Sequence, residues 1–415
     1  MSLDELFADF SHYLHSEEFR QSARHPDHPN AFTRQRKLPL PSLIAVMLTG
    51  LCKSVQAELD QFFAHLRRQA LLVREVSEQA FAQARVKLSA DALPGLNHYL
   101  IARAEQEGWI PRWQGLRLVA ADASPLRFGL RASHVPRAAV RDRIAFGLYL
   151  PDAEMTLAAS LYSIHESERQ MLFEHLNYLQ EDDLLLMDRG YPCRCLVSVL
   201  NQWGIRFCMR VEKSGNSGFG CVRDFLCSGL PEQVVTLRAP DPCDVADFGC
   251  PATPQRVRLI RDRTPSGSVR VLMTNLRDTE AFPAERFGDL YHRRWRIEEA
   301  FKRLKHRLNL EHVSGLSDQA VKQDFAAKVL CDNLASLVTL AADDLLPEER
   351  RINRAYVHTV LKPLLPGVLL GAAALSWLQD AMELIARRTF QYRSGLSKPR
   401  KARPKPHKFM NQKPC

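Results

Sequence analysis

Two short apolar runs, each closed by an aspartate, constrain this chain most. Leu116-Arg-Leu-Val-Ala-Ala121 runs into Asp122, and Leu184-Leu-Leu-Met187 runs into Asp188. Short, nearly continuous apolar runs suit strands buried on both faces of a sheet. Between them, Ile144, Phe146, Leu148 and Leu150 alternate with Ala145, Gly147 and Tyr149; Pro151-Asp152 turns, and Thr156 to Ile164 returns. This predicts an antiparallel hairpin. Ser167 to Leu179 and residues 193–203 read as helices, and Ile205 to Val211 as another strand. Right-handed crossovers then set 116–121 and 184–187 side by side and parallel. Each carries an acid at its C-terminal end, where open α/β sheets place their chemistry.

The expected class is α/β, and the order of elements fits a ribonuclease-H-like core whose first part spans 113–211. Residues 1–112 read as a helical N-terminal region, with helix-period apolar positions over Leu40 to Leu51, Leu59 to Leu66 and Val76 to Leu88. Residues 212–268 break the alternation and are rich in Gly, Pro and Cys, with short β-like pieces at Val234 to Leu237 and Val257 to Ile260. The stretch is too long for a loop, so an inserted small β subdomain is expected. The core resumes over 269–345, beginning with a strand at Val269 to Asn275. Gln319 to Leu340 and Leu375 to Ile385 read as helices, the latter in a C-terminal helical region, 346–392. A basic tail, 393–415, follows.

Tyr291 to Leu308 reads as one amphipathic helix. At roughly 100° per residue, Tyr291, Arg294, Glu298 and Lys305 share a sector about 60° wide. Ile297, Phe301, Leu304 and Leu308 form the apolar stripe beside it, which must face a core. An acid, two cations and a phenol therefore border core and solvent, an arrangement suited to phosphate beside a metal. Glu299 lies about 100° round toward solvent, so Glu298 is the better placed carboxylate. A helix with charges at this spacing is usually only a solvated face; the two strand-end aspartates give this one more weight.

Net charge is +10, and residues 393–415 hold eight Lys or Arg with no acid. The 291–308 helix holds seven Lys or Arg against two Glu. Basic charge concentrated in a helix and a tail points to a polyanion, most simply nucleic acid. Arg34, Arg36 and Lys37 cluster ahead of an apolar helix and are further candidates. No unbroken apolar run suggests a membrane span, and the acidic start MSLDELFADF does not read as a signal peptide, so a cytoplasmic protein is expected. The ten cysteines form no CxxC pair. The spacings of Cys221 with Cys227 and Cys243 with Cys250 argue against a metal site there.

Asp122, Asp188 and Glu298 make a candidate triad. Hard divalent ions take oxygen ligands, and Mg²⁺ uses a few carboxylates with phosphate and water completing its shell. Such ions can serve an in-line attack on phosphorus. On these residues the sequence resembles the bacterial insertion-sequence DDE transposases of the YREK-signature, or insertion-sequence-four, family. Tyr291, Arg294, Glu298 and Lys305 match its signature at every spacing, and Asp188-Arg189-Gly190-Tyr191 matches its second-aspartate motif. Asp122-Ala123-Ser124 stands where the family more often shows Asp-Gly-Thr. The segments Phe32 to Pro39 and Ala80 to Leu88, and the Arg/Lys/Pro-rich end, extend the likeness over nearly the whole chain.

The resemblance implies a transposase acting on double-stranded DNA, at transposon terminal inverted repeats and target. Asp122, Asp188 and Glu298 would hold two Mg²⁺ ions, for which Mn²⁺ substitutes. Tyr291, Arg294 and Lys305 would hold phosphates, with Arg189, Arg34, Arg36 and Lys37 as further DNA contacts. It also implies a homodimeric synaptic complex, no membrane and a nucleoid-associated location. If a base flips, Phe219 or Phe225 would have to stack on it. The alternatives are a related nuclease that cuts without joining and a non-catalytic DNA-binding derivative.

Overall fold

The computed structural model describes residues 1–34, 36–51, 54–128, 142–212, 219–264, 267–315, 317–344, 346–347 and 349–391. The expected basic tail lies outside the described residues. The chain builds a mixed α/β fold on a central mixed sheet. The strands are β1 (Arg112–Trp113), β2 (Leu116–Leu126), β3 (Arg143–Leu150), β4 (Met155–Ser163), β5 (Asp183–Met187), β6 (Arg206–Val211), β7 (Glu232–Leu237), β8 (Gln255–Arg263) and β9 (Val269–Thr274). They run β4-β3-β2-β5-β6-β9-β8-β7 across the sheet, with β1 pairing β2 beside that path. β2 is parallel to β5, with Leu118 opposite Leu184 and Ala120 opposite Leu186. β5 is parallel to β6, and the other pairs are antiparallel. The parallel placement and the 143–163 hairpin are as the sequence pattern predicts.

Two expectations are corrected here. The first apolar strand does not end at Asp122 but continues to Leu126, because β3 pairs along the extension, from Asp122 opposite Gly147 to Leu126 opposite Arg143. Its parallel partner β5 is paired only as far as Ala120. Asp122 therefore sits where β2 has lost one neighbour and kept the other. Within 212–268, expected as a small β subdomain, the strands β7 and β8 instead extend the main sheet. β8 pairs β9, and β7 covers β8. An uncovered edge at β9 would present unpaired N–H and C=O groups.

Six helices precede the sheet: α1 (Leu3–His15), α2 (Glu17–Ser22), α3 (Leu40–Leu48), α4 (Val55–Leu66), α5 (Glu78–Val86) and α6 (Ala92–Gln106). Within and beside the sheet come α7 (Glu168–His175), α8 (Arg194–Gln202), α9 (Gly220–Ser228) and α10 (Pro242–Phe248). After it come α11 (Phe287–His292), α12 (Trp295–Arg307), α13 (Asp318–Asp343), α14 (Arg354–Leu369) and α15 (Ser376–Ala386). Strands β10 (Arg350–Ile352) and β11 (Thr389–Gln391) pair separately.

The expected single helix over 291–308 is thus two. At the junction Arg293, Arg294, Arg296 and Ile297 each donate their backbone N–H three residues back instead of four. Such a 3₁₀-type step winds the chain faster and turns Tyr291 and Arg294 inward. Tyr291 is 3% exposed and Arg294 5%.

α13 holds the N-terminal helices to the sheet, packing against α6, α3, α14 and β4. It is the one described helix long and apolar enough to cross a membrane, and most of it is buried inside the fold. Across this contact Arg85 donates to Asp324, Gln323, Ser314 and the Ala320 carbonyl. Asn333 bonds Asn97 and the backbone of Thr156.

Candidate active site

Asp122 projects from β2 opposite Gly147. A Cβ on Gly147 would stand 3.4 Å from the ring of Phe301, so the glycine lets α12 lie close to the sheet. Ile297, Ala300, Phe301 and Leu304 form the buried face of α12, and Glu298 in its first turn stands beside that face. Asp188 follows β5 directly. Its Oδ1 accepts the Gly190 N–H at 2.7 Å, the local turn that short acidic side chains favour. Arg169 of α7 donates to the carbonyls of Gly190 (3.0 Å) and Pro192 (3.4 Å), fastening that loop.

Arg294 joins two of the acids. It donates from Nη2 to Glu298 Oε1 at 2.7 Å, and its Nη1 lies 3.8 Å from Asp122 Oδ2. Its guanidinium lies 5.9 Å from the Tyr291 ring centre, and Arg270 covers the same ring at 4.9 Å. Burial pushes the Asp122 carboxyl up to about 7. Arg294 and the Ala123 N–H oppose that shift, while Glu298 and Asp188 add to it. Both Glu298 and Asp188 are therefore close enough to act on Asp122. Burial also raises Tyr291, to about 12. Glu168, which opens α7, is raised by burial and by Asp188.

Among the described residues no three His, Cys, Asp or Glu side chains are gathered tightly enough to hold one metal ion. Arg294 supplies the positive charge between Asp122 and Glu298 instead. In kind, the donors suit a hard divalent cation: carboxylate oxygens, one of them, on Asp122, with its charged form disfavoured by burial despite Arg294. A buried hydroxyl that finds no hydrogen-bond partner among the described residues, that of Tyr191, lies beside them.

The other expected residues are dispersed. Lys305 Nζ donates to Ser124 Oγ and the Pro125 carbonyl, both at 2.7 Å, tying α12 to the end of β2. Arg189 is exposed and lies 3.3 Å from Glu212. Arg34, Arg36 and Lys37 are exposed and line a separate groove with His28 and Lys87 in the N-terminal region. Phe219 and Phe225 are both buried, Phe225 under the Arg261 guanidinium, so neither offers a face for stacking here. Much of the basic charge of 291–308 is used internally. Arg293 pairs with Asp152, Arg296 with Glu154, and Arg303 with Glu154 and Asp332. Sequence reasoning gave no role to Glu168 or Tyr191. Tyr191 stood inside a quoted motif, and an acid in a first helical turn looks like an ordinary dipole partner.

Residues 114–334 match the family described as Transposase DDE domain. The chain belongs to this family. Transposase InsG for insertion sequence element IS4, from Escherichia coli (strain K12), is 23% identical over 320 residues, covering 72% of this chain and 70% of that protein. A solved structure, the cryo-EM piggyBac transposase synaptic complex with hairpin DNA, aligns over 92% of this chain and 85% of that one. Its identity is 9% and its TM-score 0.42, too loose a likeness to bear on the site. The protein is a DDE transposase, an enzyme of DNA transposition, and its family generally works with divalent metal ions.

Proposed function

We propose that this transposase, of the insertion-sequence-four type, cuts DNA at transposon ends and joins the freed 3′-hydroxyl to target DNA on a ribonuclease-H-like core. The observation that supports this most is the buried Asp122 carboxyl, whose charged neighbours are Arg294, Glu298 and Asp188. Asp122, Asp188 and Glu298 would hold two Mg²⁺ ions, with Mn²⁺ as substitute. Bound there, the ions would activate a water or hydroxyl and offset charge on the phosphoryl oxygens.

The chain's own residues bind and orient. Arg294 offsets the charge of Asp122 and Glu298, and were those acids to hold a cation its guanidinium would be able to meet a phosphate. Tyr291 supports Arg294 from beneath. Lys305, at the end of β2, and Arg189, on the Asp188 loop, would contact the same strand. Arg34, Arg36 and Lys37 hold flanking duplex, since such contacts position DNA without reading its sequence. Two ends must meet in one complex, so a two-fold homodimer is the simplest assembly.

The test supplies pre-cleaved end DNA and a supercoiled plasmid with Mg²⁺. The wild-type chain is expected to give a covalent joint product and Glu298→Gln none. Plasmid nicking without joining would favour a nuclease, and DNA binding without either product a non-catalytic derivative.

A further inference from the structure

The loop that carries Asp188 faces a fourth acid. A Cβ at Gly190 would stand 3.0 Å from Asp188 Oδ1 and 3.9 Å from Glu168 Oε2. The absence of a side chain at 190 therefore lets both carboxylates border the same small space. Arg169, next to Glu168, is committed to two carbonyls of the Asp188 loop, which fixes the start of α7 against that loop. Beside them Tyr191 is 0% exposed, and its hydroxyl has no hydrogen-bond partner among the described residues. Its acidic neighbours are Glu168, Asp122 and Asp188. An unsatisfied buried hydroxyl is costly, and native structures nearly always satisfy such groups. Water or an oxygen ligand held by a cation between the acids would satisfy it.

We propose that Glu168 is a fourth oxygen donor of the divalent-cation site, sharing an ion with Asp188, and that the Tyr191 hydroxyl hydrogen-bonds to that ion's oxygen shell. This rests on the metal-dependent reading above and adds residues to it. Glu168 and Asp188 come from different elements, α7 and the loop after β5. A shared cation would lock those elements together and fix the Asp188 oxygens before DNA arrives.

The test is Mn²⁺ binding to the full-length, DNA-free protein, followed by the loss of the free-ion electron paramagnetic resonance signal. Thermal melts of the metal-free variants run in parallel. Glu168→Gln is expected to weaken Mn²⁺ binding roughly tenfold or more, and Tyr191→Phe about tenfold, as loss of an orienting partner does. Glu168→Gln lies on the exposed rim and removes a charge that partial burial and Asp188 disfavour, so it should leave the metal-free melting temperature unchanged or raise it. Tyr191→Phe should leave it unchanged or raise it, because the unsatisfied hydroxyl is gone. Wild-type Mn²⁺ affinity in Glu168→Gln, together with loss in Asp188→Asn, would overturn this inference and leave the three-acid reading standing. Wild-type affinity in Glu168→Gln, Asp188→Asn and Asp122→Asn alike would overturn both.

Discussion

At the scale of single residues, Asp122 places an acid where its charge is poorly supported. Its folded pKa, about 7, stands above its ordinary 3.8, with burial the leading cause. The sign follows: the protonated form favours folding, so this contribution is complete below about pH 4 and lost as pH rises through about 7. Each pKa unit is worth about 1.4 kcal/mol, so the metal-free protein forgoes up to a few kcal/mol at pH 8. Asp122→Asn is therefore expected to melt higher than wild type at pH 8 without metal and to lose that advantage near pH 4. A pH-independent difference in melting temperature would contradict this. Should the proposed site take Mg²⁺, the ion would compete with the proton at Asp122, so its affinity is expected to rise between pH 6 and 8, a trend calorimetric titration would read. Asp122 and Asp188 were legible in the sequence because an acid closing an apolar run is conspicuous. Tyr191 was not, since nothing local distinguishes a buried phenol that lacks a partner from one that has found one.

Among elements, α12 decides the geometry of the site, and its underside is held by ions as well as by its apolar face. Arg303 bonds both oxygens of Asp332, which is fully buried on α13, and Arg296 and Arg303 both reach Glu154. Removing Asp332 takes away the bidentate partner of Arg303 and leaves it only the longer Glu154 ion pair at 3.4 Å, against roughly 3–5 kcal/mol when a buried charge loses its partner altogether. Asp332→Ala is expected to lose up to about that much in urea unfolding, and a loss below about 1 kcal/mol would contradict the anchoring role. The apolar stripe of α12 was legible from its 3.6-residue period. The break at Arg293 and Arg294 was not: it contains no Gly or Pro, and Arg293 there reaches Asp152, 141 residues away in the chain, which no local pattern reveals. The joining of β7 and β8 to the main sheet was equally hidden, because periodicity reveals a strand but not its neighbour.

For the whole molecule, the helical N-terminal region was legible as helices, but its docking was not. Arg85 meets Asp324 across most of the chain, and no local pattern pairs them. That docking fixes the groove of Arg34, Arg36 and Lys37 relative to the sheet. If the groove holds duplex phosphates, replacing all three by Ala should lower the salt dependence of DNA binding by about two to three phosphates' worth. Single-turnover cleavage at saturating DNA should persist, and an unchanged salt slope would place the duplex elsewhere. The central claim is that three acids from β2, the loop after β5 and α12 serve one metal centre once Arg294 gives way. Its most direct test is anomalous scattering from Mn²⁺ in crystals of the protein bound to end DNA. The expected result is manganese density within bonding distance of Asp122, Asp188 and Glu298, with the Arg294 guanidinium moved off Glu298. Manganese bound elsewhere, with Arg294 still bridging Asp122 and Glu298, would contradict it.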